Sequence, residues 1–520
     1  MKKKIYLLPI TAICLVLGVV IGSVIPKFTE SGSVVFSDKL GYVINLISNQ
    51  YVDKIDTDSL TDETIKSLMG KLDPHSVYLS KEEVKKENES LRGNFDGIGV
   101  QFRIVEDSIV VVRTIKGGPS EKAGLIAGDR IVKVNGKNLT KNVTNDTVLH
   151  YLKGTRGSKV KLSVARKGIK HLMDFELTRD KIETKSVAYF GMLREKTGYI
   201  KLDEFSANSY SEVHRALMSL KKLGMEELIF DLRGNGGGLL DQAIAIADEF
   251  VPKGDLIVYT KGEHKPRRDF YATSGGMFEK GKLTVMIDEF SASASEILSG
   301  CIQDNDRGKI VGRRTFGKGL VQEQKDLSDG SAVRLTVARY YTPSGRCIQR
   351  PYTNGESEQY YEDFVERYAN MENGADTISH KDKYKTKLGR TVYGGGGIEP
   401  DETISYNSIK YNPYYRELIR NGLIYKYCFD YVDKNRKTFE TYSDGDDFIE
   451  RFSVNENELN KMLNSAQETG LAKGNLSQED KSDIKLLMKA YIAQNLYEDK
   501  YFYSLYVKLD KELQQVLKQR

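Results

Sequence analysis

The chain changes its hydrophobic period several times between its ends. Leu40, Val43, Ile44 and Ile47 recur at helical spacing, and a polar helix is expected near Glu82–Glu89, so residues 36–91 predict a helical N-terminal region. The turn Leu72-Asp73-Pro74-His75-Ser76 breaks it. Across residues 92–180 the period shortens, with β-rich runs at Val100–Val105, Ile109–Thr114, Arg130–Val134 and Lys159–Arg166 separated by Gly-containing turns. One helix-like segment, Asn145–Leu152, interrupts them. From 181 strand and helix patterns alternate: Gly198–Leu202, Tyr210–Leu223, Glu227–Leu232, Leu239–Phe250, Leu283–Ile287, Ala294–Gln303 and Lys309–Gly312. Such alternation predicts α/β layers around a sheet, so the expected fold class is α/β multidomain. Residues 350–388 are polar and Tyr-rich and read as a surface insertion in a region running from 181 to 404. The remainder, 405–520, reads as a charged helical extension.

At 520 residues the chain exceeds a single ordinary core, consistent with several domains. With 78 Lys and Arg against 73 Asp and Glu, charge is balanced, and no basic block follows Lys2-Lys3-Lys4. Nucleic acid is therefore not expected as a partner. The first 30 residues differ from the rest. Ile5–Ile25 carries no charge, and roughly 20 apolar residues span a bilayer as a helix. With the lysines on the cytoplasmic side, this predicts a single-pass anchor in the cytoplasmic membrane and an extracytoplasmic remainder. The alternative, a cleaved signal peptide, needs a small-residue exit site, for which Gly22-Ser23-Val24-Ile25-Pro26 is poor. Beyond that run only Cys301, Cys347 and Cys428 remain, neither a disulfide framework nor a ligand cluster. No metal or cofactor is expected.

The most informative segment is Asp288-Glu289-Phe290-Ser291-Ala292-Ser293-Ala294-Ser295-Glu296, where an apolar strand turns into a helix through small residues. A Ser there presents its hydroxyl at a helix N-terminus, where backbone N–H groups face incoming negative charge; the plainer reading is a helix cap. A hydroxyl needs a base to become a nucleophile. The nearest His in sequence is His264, and nothing points to a Ser–His–Asp set. A lysine serves if burial disfavours its charge, and Thr315-Phe316-Gly317-Lys318-Gly319-Leu320-Val321-Gln322 offers one in an apolar setting. Gln322 could hold its amine without adding charge. A third piece, Ile229-Phe230-Asp231-Leu232-Arg233-Gly234-Asn235-Gly236-Gly237-Gly238, runs a buried-looking strand into a Gly-rich turn able to aim N–H groups at an oxyanion. It lacks the ending of a phosphate-binding loop.

Together these stretches resemble the carboxyl-terminal processing peptidases, also called tail-specific proteases. The resemblance runs from about residue 36 to Asp401 and implies a mixed-sheet serine peptidase core. It casts Ser293 as nucleophile, Lys318 as general base and Gln322 as the residue orienting that lysine. Backbone N–H groups of Gly237 and Ala294 would form the oxyanion hole, with Gly236 and Gly238 adjacent to the first. Gly97-Ile98-Gly99-Val100 resembles the carboxylate-binding loop of a PDZ domain, followed by Gly128-Asp129-Arg130-Ile131. Such a loop offers N–H groups to a peptide's terminal carboxylate while the peptide adds as a strand beside Val100-Gln101-Phe102. The resemblance thus implies a protease acting on protein or peptide substrates with free C-termini, with a PDZ domain inserted between helical region and core. The rival reading is a non-catalytic peptide-binding scaffold, although Ser293, Lys318 and Gln322 are all present; an ATP-dependent protease lacks its phosphate loop. For 350–388 and the tail, docking, a homodimer contact, partner recruitment and plain solvated helices are all open.

Overall fold

A computed structural model describes residues 34–519 apart from residues 106, 274, 373–381 and 406–411. The run Ile5–Ile25, expected to be an anchor, lies outside the described residues. Among those described, no helix is long and apolar enough to cross a membrane. Of the described residues, those up to Leu68 form one compact unit, with α1 (Val34–Gln50) and most of α2 (Thr57–Met69), and those from Met69 onward form a second.

The second unit opens with β1 (Val77–Leu79) and α3 (Lys81–Arg92). Ser80 and Glu83 form a reciprocal capping box at the start of α3, and Gly93 ends it in the left-handed conformation at φ 65°. Next come β2 (Asn94–Gly97), β3 (Val100–Val105), β4 (Ser108–Thr114), α4 (Pro119–Ala123), β5 (Arg130–Val134) and β6 (Lys137–Asn138). Then follow α5 (Asn145–Leu152), β7 (Lys159–Ala165), β8 (Met173–Thr178) and β9 (Asp180–Glu183). Strands β2 and β9 pair antiparallel, bringing together the two ends of the intervening β-rich module. Its sheet runs β3-β4-β5-β7-β8, with β6 beside β5, so β3 is an edge strand. Ile109, Val111, Ile131, Val148, Val160 and Leu162 fill its core.

The α/β layers comprise β10 (Val187–Arg194), β11 (Thr197–Leu202), α6 (Ser209–Lys222), β12 (Glu227–Asp231), α7 (Leu240–Asp248), β13 (Leu256–Lys261) and β14 (Arg268–Tyr271). They continue through β15 (Lys282–Ile287), α8 (Ala294–Asp304), β16 (Lys309–Gly312), β17 (Leu320–Asp326) and β18 (Ala332–Tyr341). Last are α9 (Ser357–Glu372), β19 (Lys383–Lys385), β20 (Thr391–Tyr393) and β21 (Glu402–Thr403). The main sheet has the order β10-β11-β12-β15-β16-β21, parallel except for β10. A second, antiparallel sheet of order β1-β18-β13-β14, with β17 beside β18, holds the segment after Lys318. This is the expected α/β architecture, though the second sheet was not foreseen.

The tail forms α10 (Pro413–Arg420), α11 (Leu423–Phe439), α12 (Gly445–Arg451), α13 (Glu456–Glu468), α14 (Gln478–Leu496), α15 (Asp499–Tyr506) and α16 (Lys511–Lys518). It has its own core around Leu418, Cys428, Phe448, Leu459, Met488 and Ile492. It is also built into the rest of the molecule rather than solvated beside it. One face of the main sheet, through Leu228, Phe230, Val285 and Ile310, packs on α6, α7 and α8. The other, through Tyr199, Ile229, Met286 and Val311, is covered by Val507, Leu513, Val516 and Leu517. A parallel sheet needs both faces covered, and each such side chain contributes about 1.5–3 kcal/mol when buried. Phe429 packs on Val110 and Val112 of β4, and Arg113 pairs with Asp499.

Candidate active site

Parallel strands deliver their connecting loops to one edge of a sheet, and the loops after β12, β15 and β16 carry the three sequence motifs. After β15 the chain turns through Asp288–Ala292 into α8. Asp288, lifted by burial above the usual carboxylate range, accepts from the N–H groups of Gly234, Phe290 and Ser291. This lashes the Gly-rich loop to the serine turn. The three serines of that turn differ sharply. Ser291 Oγ donates to the Leu232 carbonyl at 2.9 Å and accepts from the Asp288 N–H, and Ser295 Oγ donates to the Asn235 carbonyl at 2.9 Å. Both are fully buried. Ser293 alone is half-exposed, and its backbone sits at φ 55°, ψ −112° at the N-cap of α8, a strained conformation for a residue with a Cβ.

Glu296, three residues on, is buried and central. Its carboxylate accepts from the N–H groups of Ser293, Gly317 and Lys318, each at 2.8 Å, and from Thr315 Oγ1 at 2.5 Å. One side chain thus ties the serine turn to the lysine loop. Burial lifts its carboxyl to about 7 despite those donors. The Tyr340 hydroxyl, from β18, adds a second link, 3.1 Å from the Ser293 carbonyl and in contact with the Lys318 carbonyl. Lys318 is half-buried. Burial pushes its amine below the ordinary lysine value, helped by Arg334 and opposed by Glu296, Asp73 and Glu87.

Gln322 stands on β17, but its amide nitrogen donates to the His75 carbonyl, so only its oxygen remains to accept from an amine. At Gly237 a Cβ would come 2.8 Å from Ser293 Cβ and 3.0 Å from the Ala294 nitrogen, so only glycine fits. Its N–H donates to Asn235 Oδ1 at 2.9 Å. The neighbouring Gly236 is exposed. Ala294, the first residue of α8, has an N–H with no intrahelical acceptor.

Several residues escaped the sequence reading. Glu296 has a local signal, since Ser-x-x-Glu before an apolar run marks a capping box. The Asp73–Ser76 turn, read only as a break, docks against β18: Thr336 Oγ1 donates to Asp73 Oδ1 at 2.9 Å and the Thr336 N–H to Ser76 Oγ at 3.0 Å. His75 is buried, and burial first, then Lys318, pushes it down to about 4. The 350–388 insertion is not merely surface. Through α9, Tyr360 packs edge-on to His75 at 5.4 Å and Phe364 lies 4.8 Å from Phe316, two residues before Lys318. The Arg350 guanidinium lies over both the Phe316 and Tyr360 rings, at 4.4 and 4.0 Å.

In the β-rich module, Gly97, Ile98 and Gly99 are buried at the turn into β3, with Gly99 at φ 72°. The Ile98 carbonyl accepts from Ser120, and that of Gly99 from the Ile115 N–H at 2.9 Å, which holds the loop. Val100 starts the edge strand. A cleft of about 310 Å³ beside it is lined by Val100, Gln101, Phe102 and Val112 together with Tyr425 and Gln494 of the tail. Among the described residues no His, Cys, Asp and Glu grouping could hold a metal ion.

Family models match three stretches: a PDZ domain over residues 97–177, peptidase family S41 over 196–355, and a family of unknown function (DUF8443) over 414–498. The carboxy-terminal-processing protease of Bartonella bacilliformis is 35% identical over 315 residues, covering 60% of this chain and 72% of that protein. The carboxy-terminal processing protease CtpA of Bacillus subtilis is 36% identical over 314 residues, 60% of this chain and 66% of its own. A "probable CtpA-like serine protease" of Staphylococcus aureus is 35% identical, with 62% of its length covered. The chain thus spans a little under two-thirds of the last two. Among solved structures, a photosystem II D1 C-terminal processing protease is 26% identical, with 71% of this chain and 88% of that one covered, at a TM-score of 0.36. By its sequence, the chain belongs to the carboxy-terminal processing serine proteases of peptidase family S41.

Proposed function

We propose that the chain is a serine endopeptidase that reads the C-termini of protein substrates through residues 92–180 and cuts them in the core of residues 181–404. Ser293 is the nucleophile and Lys318 its base. The observation that carries this reading is the contrast within the serine turn: two hydroxyls are spent in buried hydrogen bonds, while the third is strained, half-exposed and joined through Glu296 to a desolvated lysine. Neutral Lys318 takes the proton from Ser293 Oγ as that oxygen attacks the scissile carbonyl, and returns it to the amine that leaves as the C–N bond breaks. Water, deprotonated by the same lysine, then opens the acyl-enzyme and restores the serine. The Ala294 N–H stabilises the oxyanion, and Gly237 joins it once its N–H leaves Asn235. Gln322 orients Lys318 through its oxygen. Gly97–Val100 receives the substrate carboxylate, and no metal or cofactor takes part.

The charge-free Ile5–Ile25 run after three lysines supports an anchored enzyme working outside the cytoplasm. Cleavage of a tailed reporter protein by the full chain, beside Ser293→Ala, tests the core of the reading. Undiminished cleavage by Ser293→Ala would sink it. A reporter fused after residue 40 should be active only outside the cytoplasm; activity inside would refute the anchoring.

A further inference from the structure

The tail enters the catalytic machinery through two carboxylates at the start of α16. Arg233, the residue before the Gly-rich loop, donates two hydrogen bonds to Asp510, at 2.5 and 3.1 Å, and one to Glu512 at 3.0 Å. Its remaining N–H groups clasp Asp231 at the end of β12. Burial works against the Asp231 charge, but Arg233 and Lys201 hold its carboxyl well below the usual range. The other oxygen of Glu512 accepts from Arg313 at 2.7 Å, and Arg313 donates to Glu289 at 2.8 Å.

These arginines stand at telling places. Arg233 leads into Gly234–Gly238, the loop beside Ser293. Glu289 belongs to the turn that presents Ser293. Arg313 follows β16, its N–H donating to the Ile287 carbonyl at 3.1 Å, and leads to Lys318. Glu512 therefore bridges, with one oxygen each, the Gly-rich loop and the loop leading to Lys318, and through Arg313 it reaches the turn carrying Ser293. Arg313, Glu289 and Asp231 are almost entirely buried, and Arg233, Asp510 and Glu512 keep only 12–14% of their side-chain surface. Burial leaves such a network little freedom to settle in another arrangement.

We infer that Glu512, together with Asp510, is a positioning residue for the reaction: the tail sets the mutual placement of the three catalytic loops at the sheet edge. This rests on the Ser293–Lys318 reading. Asp510 also caps α16, accepting from the Leu513 N–H at 3.0 Å, so its replacement would mix capping with positioning and Glu512 is the cleaner probe. A Gln at 512 keeps the shape but presents a single acceptor oxygen and an amide that repels one of the two guanidinium groups.

The test is kcat, KM and Tm on one peptide substrate for the full chain as wild type, Ser293→Ala, Glu512→Gln and Leu517→Ala. Leu517 lies on the same helix and is buried against the sheet, so its truncation destabilises without touching the network. Misplacement by about an ångström costs up to about a hundredfold, so Glu512→Gln should lower kcat about ten- to a hundredfold at unchanged KM. Leu517→Ala should lower Tm while keeping kcat below its own transition. Wild-type kcat in Glu512→Gln overturns the inference, as does an equal kcat loss in Leu517→Ala. Should Glu512→Gln not fold, Glu512→Asp, which keeps the charge but withdraws it by one methylene, takes its place, and normal turnover there also overturns it. Activity persisting in Ser293→Ala would instead sink the underlying mechanism.

Discussion

Ser293 holds a backbone conformation that costs about 1–3 kcal/mol for a residue with a side chain, and glycine would relieve it. Ser293→Gly should therefore raise stability by about 0.5–1 kcal/mol while abolishing cleavage, a pairing visible in one thermal melt and one assay. Ser291→Ala should do the reverse: the buried Asp288 N–H loses its acceptor, stability falls by about 1–3 kcal/mol, and kcat/KM below the melt stays near wild type. If Lys318 is the base, it governs the pH profile. Its lowered amine must be neutral to accept a proton, so kcat/KM should rise with pH to a midpoint below that of free lysine. His75, at about 4, stays neutral throughout and cannot supply that titration. Lys318→Arg should be nearly as inactive as Ser293→Ala, since arginine stays protonated. Glu296 titrates in the stability curve. Its folded value of about 7 exceeds that of a free carboxyl, so its contribution is full below pH ~4.5 and is lost as pH rises through 7. Glu296→Gln should flatten stability over that window, measured as the Tm difference between about pH 5 and pH 8.

Regular elements with a strong period were legible in the sequence almost to the residue. Val100–Val105, Arg130–Val134, Asn145–Leu152 and Lys309–Gly312 stand where alternation and helical spacing put them. The antiparallel sheet was not, because β17 and β18 read as mixed polar runs such as Gln322-Glu323-Gln324-Lys325, whose pairing is decided by distant partners. The same limit applied at the site. Local sequence brought out Ser293, Lys318 and the Gly-rich loop, but Tyr340 and His75 reach them only through the fold, and the Asn235 side chain that takes the Gly237 N–H is a local contact no pattern announces. The sequence does not show helix α9 as packed, because Tyr360 and Phe364 look like surface aromatics until Phe316 is placed beside them. Phe364→Ala should readmit water beside the lysine loop and move the midpoint of the pH profile upward toward ordinary lysine. An unchanged midpoint would show that α9 does not shield the base.

At the scale of the whole molecule, the β-rich module is joined to the core twice. Its ends pair as β2 and β9, and its β3–β4 hairpin rests on the tail, where Arg103 lies 4.5 Å from the Tyr425 ring. Tyr425 and Gln494 of the tail also line the cleft beside the edge strand β3. If Gly97–Val100 receives a terminal carboxylate, amidating a peptide should weaken its binding about tenfold or more, the worth of one charge-assisted contact. Equal binding of acid and amide would redirect attention from that loop.

The pairing of Arg233 with Asp510 spans 277 positions of the chain. During synthesis, the strands of the main sheet and all three catalytic loops leave the ribosome long before the helix that covers the sheet's second face. Until α16 arrives, Ile229, Met286 and Val311 lack the cover of Leu513, Val516 and Leu517, and Arg233 and Arg313 have Asp231 and Glu289 but not yet the carboxylates of Asp510 and Glu512. On the Ser293–Lys318 reading, a nascent chain holds its reactive side chains before the helix that braces their loops. If the tail positions those loops, cleavage waits for the last helix to be made.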